Sequence, residues 1–335
     1  MIKIHKDTYR NNDPKRQIND IIGDIHDRYE KLKDKDTLKA KQIYQKVLPP
    51  FPTDDEEGNK LRRELRSLLI KEQGHLCAYC CCPIAEPDSN TKNSELGLVT
   101  IEHYIPLSVI DERSKINGGF EKANAIDYYN LLAVCGHRYL EDILKEDELG
   151  LYEPLPQFCE HNRGNSKLVI DPSNYHQKNM KEHEKMMETI FYDFDGNIHS
   201  KDKRIDTDLK QTLNLNVREG SYSLPDERKA VLLEIQERII KHIQEWHQPD
   251  QSHGDFQEES KTQTVKMSPI EYIRVLLKYY EEKELNNPMR EYKTPHIGYI
   301  IWYLKHLLEI FGRGGVSPNE YKKALSELMA YKTKR

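Results

Sequence analysis

The chain has 335 residues, with 51 Lys and Arg set against 56 Asp and Glu for a formal charge of −5, and 37% hydrophobic residues. That length and hydrophobic fraction support folded domains with a real core. The acidic balance excludes a wholesale polyanion binder, because phosphate affinity comes from clustered Lys and Arg; any contact with nucleic acid is a local patch or is supplied by a partner.

The opening residues Met1 to Lys6 have no apolar core of the signal-peptide kind, and no stretch reaches bilayer-spanning length, so the expectation is a cytoplasmic protein that makes no membrane contact. In that compartment thiols stay reduced, and cysteines at motif spacing read as metal ligands before disulfides.

From about Arg16 to Val47 the pattern is charged and helical in period, with Ile18, Ile21, Ile22, Ile25 and Tyr29 on one stripe. Pro49-Pro50-Phe51-Pro52 breaks it, and Thr53 to Glu56 offers a cap for a helix from Asn59 to about Gly74. Residues 75 to 200 read as short strands and irregular loops. Leu98 to Tyr104 alternates like a strand, and Phe191 to Ile198 reads as a hairpin turning at Asp195-Gly196. Helical periods return at Asp226 to Trp246, then, after a polar linker from Gln248 to about Lys266, at Ser268 to Leu285, His296 to Phe311 and Pro318 to Tyr331.

All six cysteines fall between Cys77 and Cys159. Cys77-Ala78-Tyr79-Cys80 is a CxxC knuckle, in which a tight turn converges two thiolates on one tetrahedral zinc. Cys135 and Cys159 can complete a four-sulfur site. Cys81 and Cys82 leave the first half open, His137 is an alternative ligand, and the bland reading is a set of small buried hydrophobes.

Between the two halves stands Ile101-Glu102-His103-Tyr104-Ile105-Pro106. An imidazole beside a carboxylate suits metal-assisted phosphodiester hydrolysis. The histidine takes a proton from water, and the carboxylate helps hold a hard divalent cation such as Mg²⁺ or Mn²⁺. A zinc deaminase needs its His-x-Glu ahead of the cysteine pair, the reverse of the order here. A zinc protease needs His-Glu-x-x-His, and His183-Glu184-Lys185-Met186-Met187 fails at the last position.

A cysteine pair, then Glu-His-x-x-Pro, then Asn-Leu, then a further cysteine resembles the HNH or ββα-metal nucleases. Leu76 to Cys80, Ile101 to His103, Tyr129 to Cys135, Cys159 with Arg163-Gly164-Asn165, Ile170-Asp171-Pro172 and Leu213 to Asn216 narrow the resemblance to the PtuB family of the Septu and retron-linked anti-phage defence systems. The likeness covers roughly residues 57 to 220.

It implies an α+β fold: a helical N-terminal arm (1–56), a zinc-braced ββα-metal nuclease domain (57–220) and a helical C-terminal region (221–335). It implies His103 as general base, Asn130 as the middle residue bracing the loop that carries His103, and a third metal-binding position supplied by Glu160, His161 or Asn162 together with Glu102. Arg163 stands where a phosphate contact is expected, or else is an ordinary surface side chain. A further implication is a partner ATPase of the PtuA type, with nucleic acid, most simply DNA, as substrate. A retron reverse transcriptase with its DNA-RNA product is an additional implied partner. The rival is a zinc-knuckle binding or assembly module without catalysis, in which His103 is structural. Tyr299, Trp302 and Tyr303 in the C-terminal helices read as core or as interface anchors.

Overall fold

The N-terminal stripe forms helix α1, Pro14–Glu30, which buries Ile18 and Ile25 and packs Ile21, Ile22 and Tyr29 beside them. The computed structural model describes residues 4, 6, 14–50, 53–85, 99–117, 120–136, 157–173, 180–220, 222–247, 267–287, 290 and 292–312. His137, the linker from Gln248 and the helix expected from Pro318 lie outside them.

The single helical period expected from Arg16 to Val47 is two helices. Asp34, at φ +57°, turns the chain after α1, and α2 starts at Ala40 and runs to Val47. The first amide of α2 donates to the Asp111 carboxylate at 2.7 Å. Helix α3, Glu56–Glu72, begins where Asp55 accepts from the Gly58 amide at 2.9 Å, and it buries Leu61, Leu65, Leu68 and Leu69 at helical spacing. Each such side chain withdrawn from water stabilises by about 1.5–3 kcal/mol.

Strands β1 (Val99–His103) and β2 (Leu131–Cys135) pair antiparallel, with Glu102 opposite Leu132 and His103 opposite Leu131. Every residue of β2 is buried. The Gln73 amide beyond α3 grips β2 through both backbone groups of Ala133, at 2.7 and 2.8 Å. Residues 75 to 200 hold more helix than their sequence suggests: α4 (Leu107–Asn117) follows Pro106, and a further helix spans Met180–Glu188. Helix α4 has little amphipathic contrast, and the helix Met180–Glu188 is only nine residues long.

The hairpin of β3 (Ile190–Tyr192) and β4 (Ile198–Ser200) turns at Gly196, φ +79°, where a β-carbon would stand 2.2 Å from the Pro225 carbonyl oxygen. Only glycine fits that approach. A two-residue pair, β5 (Arg218–Glu219) and β6 (Tyr222–Ser223), leads into the helix Leu224–His247. Ser268 caps the helix Pro269–Lys278 with a reciprocal bond to Glu271, and a wider turn continues it to Leu285. The last described helix, Ile297–Gly312, buries Tyr299 and Tyr303, and Trp302 packs against Phe194 of the hairpin at 5.5 Å between ring centres. Tyr299 and Tyr303 are core, and Trp302 is partly buried against it. The described chain is thus mixed α+β, mostly helical with small antiparallel sheets, and no described helix is long and apolar enough to cross a membrane.

Candidate metal centre and histidine site

The Cys77–Cys80 knuckle is shaped by its own backbone. The Cys77 amide donates to the Cys82 carbonyl at 2.9 Å, the Cys81 amide returns to the Cys77 carbonyl, and the Ala78 amide ties the loop to Ala133 of β2. Cys135 ends β2, and Cys159 enters with φ +55° just before the one-turn helix Glu160–Arg163. Their four sulfurs are buried and lie within 4.8 Å of one another. Cys77 and Cys159 are 3.9 Å apart and Cys80 and Cys135 3.7 Å. Zinc–sulfur bonds of about 2.3 Å set tetrahedral sulfur–sulfur edges of about 3.8 Å, whereas a disulfide needs about 2.05 Å. The four residues fit a metal ion such as zinc.

Backbone amides of Cys135 and Cys82 point at the Cys77 and Cys80 sulfurs, each at 3.4 Å. Burial opposes ionisation of Cys80, and hydrogen bonds from Cys135, Cys159 and Cys77 outweigh it, holding the thiol well below the ordinary cysteine value. Cys81 and Cys82 stand outside this group of four.

His103 closes β1. Its Nε2 lies 2.9 Å from the Ala125 carbonyl oxygen, an acceptor, so Nε2 carries the proton and Nδ1 keeps the lone pair. Burial lowers its pKa to about 4, against the pull of the Ala125 bond. His103 is 7% exposed, and its ring meets Tyr44 of α2 edge-on at 4.5 Å. Asn130, fully buried, accepts from the Ile105 amide at 2.7 Å and donates to the Ile105 and Asn124 carbonyls. Its amide therefore spans the turn leaving His103 and the segment ahead of Ala125.

Side chains alternate along a strand, so Glu102 faces away from His103 and shares the face of Thr100. Arg163 occupies that side, and its guanidinium is neither on the surface nor open to a phosphate. It is wholly buried, paired with Glu102, and donates to the Tyr79 hydroxyl at 2.7 Å, the His103 carbonyl at 3.0 Å, and the Tyr104 and Ser166 carbonyls. The cause is its position one turn after Cys159, which carries it beneath the knuckle. Burial pushes the Glu102 carboxyl up to about 8, with Arg163 opposing.

Among the candidates for the third position, Glu160 accepts from the Thr100 hydroxyl on the Glu102 face. Asn162 donates instead to the Gln211 and Thr212 carbonyls. His161 occupies the same turn, half-buried. The structure thus gathers Glu102, Glu160 and Arg163 on one face of β1 and His103 with Asn130 at its end.

Residues that sequence reasoning passed over complete the site. Tyr79, inside the CxxC motif, receives Arg163, and Tyr44 covers His103. Tyr44 falls at helical spacing with buried Ala40, Ile43 and Val47, the signal that could have placed it inward.

No family model matches the chain, and neither the curated proteins nor the solved structures provide a match.

Proposed function

We propose that the chain is a metal-dependent HNH-type endonuclease with a zinc-braced ββα-metal core. In this reading it is the effector of an anti-phage defence system of the PtuB kind, cutting nucleic acid, most simply DNA, alongside a PtuA-like ATPase, with a retron reverse transcriptase and its DNA-RNA product as further partners. The observation that carries the reading is the tautomer of His103: with Nε2–H held by the Ala125 carbonyl, Nδ1 is a fixed lone pair beside a carboxylate-bearing strand and a four-cysteine staple.

Nδ1 of His103 takes the proton from the attacking water, and its pKa of about 4 keeps it unprotonated and ready at neutral pH. Asn130 fixes the turn that aims the ring. Glu102 and Glu160, on the other face of β1 from the His103 ring, would be the oxygen ligands for a Mg²⁺ or Mn²⁺ ion, Glu102 giving up its carboxyl proton to bind it, and that ion would neutralise charge on the scissile phosphate and the leaving oxygen. Arg163 positions Glu102 and the His103 carbonyl from within. Purification of the native operon product, followed by cleavage assays with and without divalent metal, tests the reading. Metal-dependent cutting supports it, and its absence from a copurified, zinc-loaded complex counts against it.

A second reading is favoured by one observation, the near-complete burial of His103 under Tyr44. A non-catalytic zinc-knuckle module would use that histidine as a packed core group. Replacement of His103 would then leave biological activity intact, and this separates the two.

A further inference from the structure

We propose a second zinc site, separate from the four cysteines, formed by Cys82, Glu227 and His296. These residues come from three distant segments: the end of the knuckle, the first turn of the helix Leu224–His247, and the residue before the helix Ile297–Gly312. Their ligand atoms lie within 4.8 Å of one another.

The imidazole is oriented for the task. His296 is 4% exposed and held at φ +51°, a strained value for a residue with a β-carbon, by its backbone amide donating to the Cys81 carbonyl at 3.1 Å. Its Nδ1 lies 3.2 Å from the Cys80 carbonyl oxygen, to which it donates. Nε2 is left as a lone pair facing the Glu227 carboxylate at 3.8 Å. A ring nitrogen pinned to a backbone carbonyl so that the other is free is the usual arrangement of a metal-binding histidine.

The Cys82 sulfur lies 3.5 Å from the same carboxylate oxygen. Zinc bonds of about 2.3 Å to sulfur and about 2.0–2.1 Å to nitrogen and oxygen set tetrahedral edges of about 3.6 Å (S–O) and about 3.3 Å (N–O). The cluster is within half an ångström of both. Mixed sulfur, nitrogen and oxygen donors suit zinc among the divalent ions and disfavour Mg²⁺ and Ca²⁺. Glu227 is 43% exposed, which gives an entry path and leaves the fourth position to water. Binding would release the Cys82 thiol proton to solvent and join the knuckle to the starts of the helices Leu224–His247 and Ile297–Gly312.

The test is zinc titration of the full, chelator-stripped chain against a chromophoric competitor, with elemental analysis of the reloaded protein. Wild type is expected to take about two zinc ions per chain, and Glu227→Ala and Cys82→Ser about one, with an unchanged circular dichroism spectrum. Glu227 is partly exposed, so its replacement spares the fold even if Cys82→Ser does not. A wild-type chain that saturates at about one zinc, or a Glu227→Ala chain that binds as much as wild type, would overturn the site.

Discussion

Asn130 and Ile105 are joined by two hydrogen bonds, the Asn130 side-chain Oδ1 accepting from the Ile105 amide at 2.7 Å and its NH₂ donating to the Ile105 carbonyl at 3.3 Å. A third, to Asn124, connects the pair to the segment whose Ala125 carbonyl orients His103. Asn130→Ala leaves buried backbone groups without partners, so a loss of about 2–4 kcal/mol is expected, and under the proposed function, with His103 as base, cleavage falls as well because the ring is no longer aimed. Chemical denaturation together with a rate measured on folded protein checks it. Wild-type stability would mean that the turn holds without this amide.

Arg163 yields a prediction opposite to that of a phosphate-binding arginine. Removing it leaves the buried Tyr79 hydroxyl, the Glu102 carboxyl and the His103, Tyr104 and Ser166 carbonyls without their donor, and Arg163→Ala should cost about 3–5 kcal/mol. Arg163→Lys should recover only part, since a lysine cannot reproduce the planar fork reaching Tyr79, Glu102 and two carbonyls. The salt dependence of nucleic-acid binding by the folded variant should match wild type. A shallower salt slope at undiminished stability would restore the phosphate role.

The paired shifts of His103 and Glu102 set a pH window. The lowered His103 value of about 4 means its stabilising contribution is complete above the ordinary 6.5 and is lost as pH falls through 4. The raised Glu102 value of about 8 means its contribution is complete below the ordinary 4.5 and is lost as pH rises through 8. Between 4.5 and 6.5 the two slopes cancel. From pH 6.5 to 8 Glu102 alone acts, removing about 2 kcal/mol. Urea midpoints across that interval should fall for wild type and stay flat for Glu102→Gln; equal slopes would place the Glu102 titration elsewhere.

The four-cysteine staple should be a folding element. Cys77→Ser or Cys159→Ser is expected to lose tightly held zinc and soluble folding together, because structural zinc contributes largely as folding free energy. Elemental analysis and near-ultraviolet circular dichroism read both; a zinc-free protein with native melting would remove the staple.

Local chemistry was legible where spacing carries it. The CxxC motif with Cys135 and Cys159, the Asp195-Gly196 turn and the helical periods at Asp226 to Trp246, Ser268 to Leu285 and His296 to Phe311 stand in the structure. What the sequence hid depends on tertiary neighbours. Arg163 reads as surface because nothing in its flanking residues announces Tyr79 and Glu102. His296 reads as the start of a helix, and only folding brings it to the Cys80 carbonyl. The break between α1 and α2 is hidden in the sequence because the charged residues around Asp34 fit a solvated helix as well as a turn.

In the proposed function His103 is the general base. The most direct measurement is divalent-metal-dependent cleavage by His103→Ala, purified as wild type is and verified as folded, zinc-loaded and partner-bound. Loss of a general base should slow cutting by about a hundredfold or more while zinc content is unchanged. Cutting at the wild-type rate by that protein would contradict the assignment.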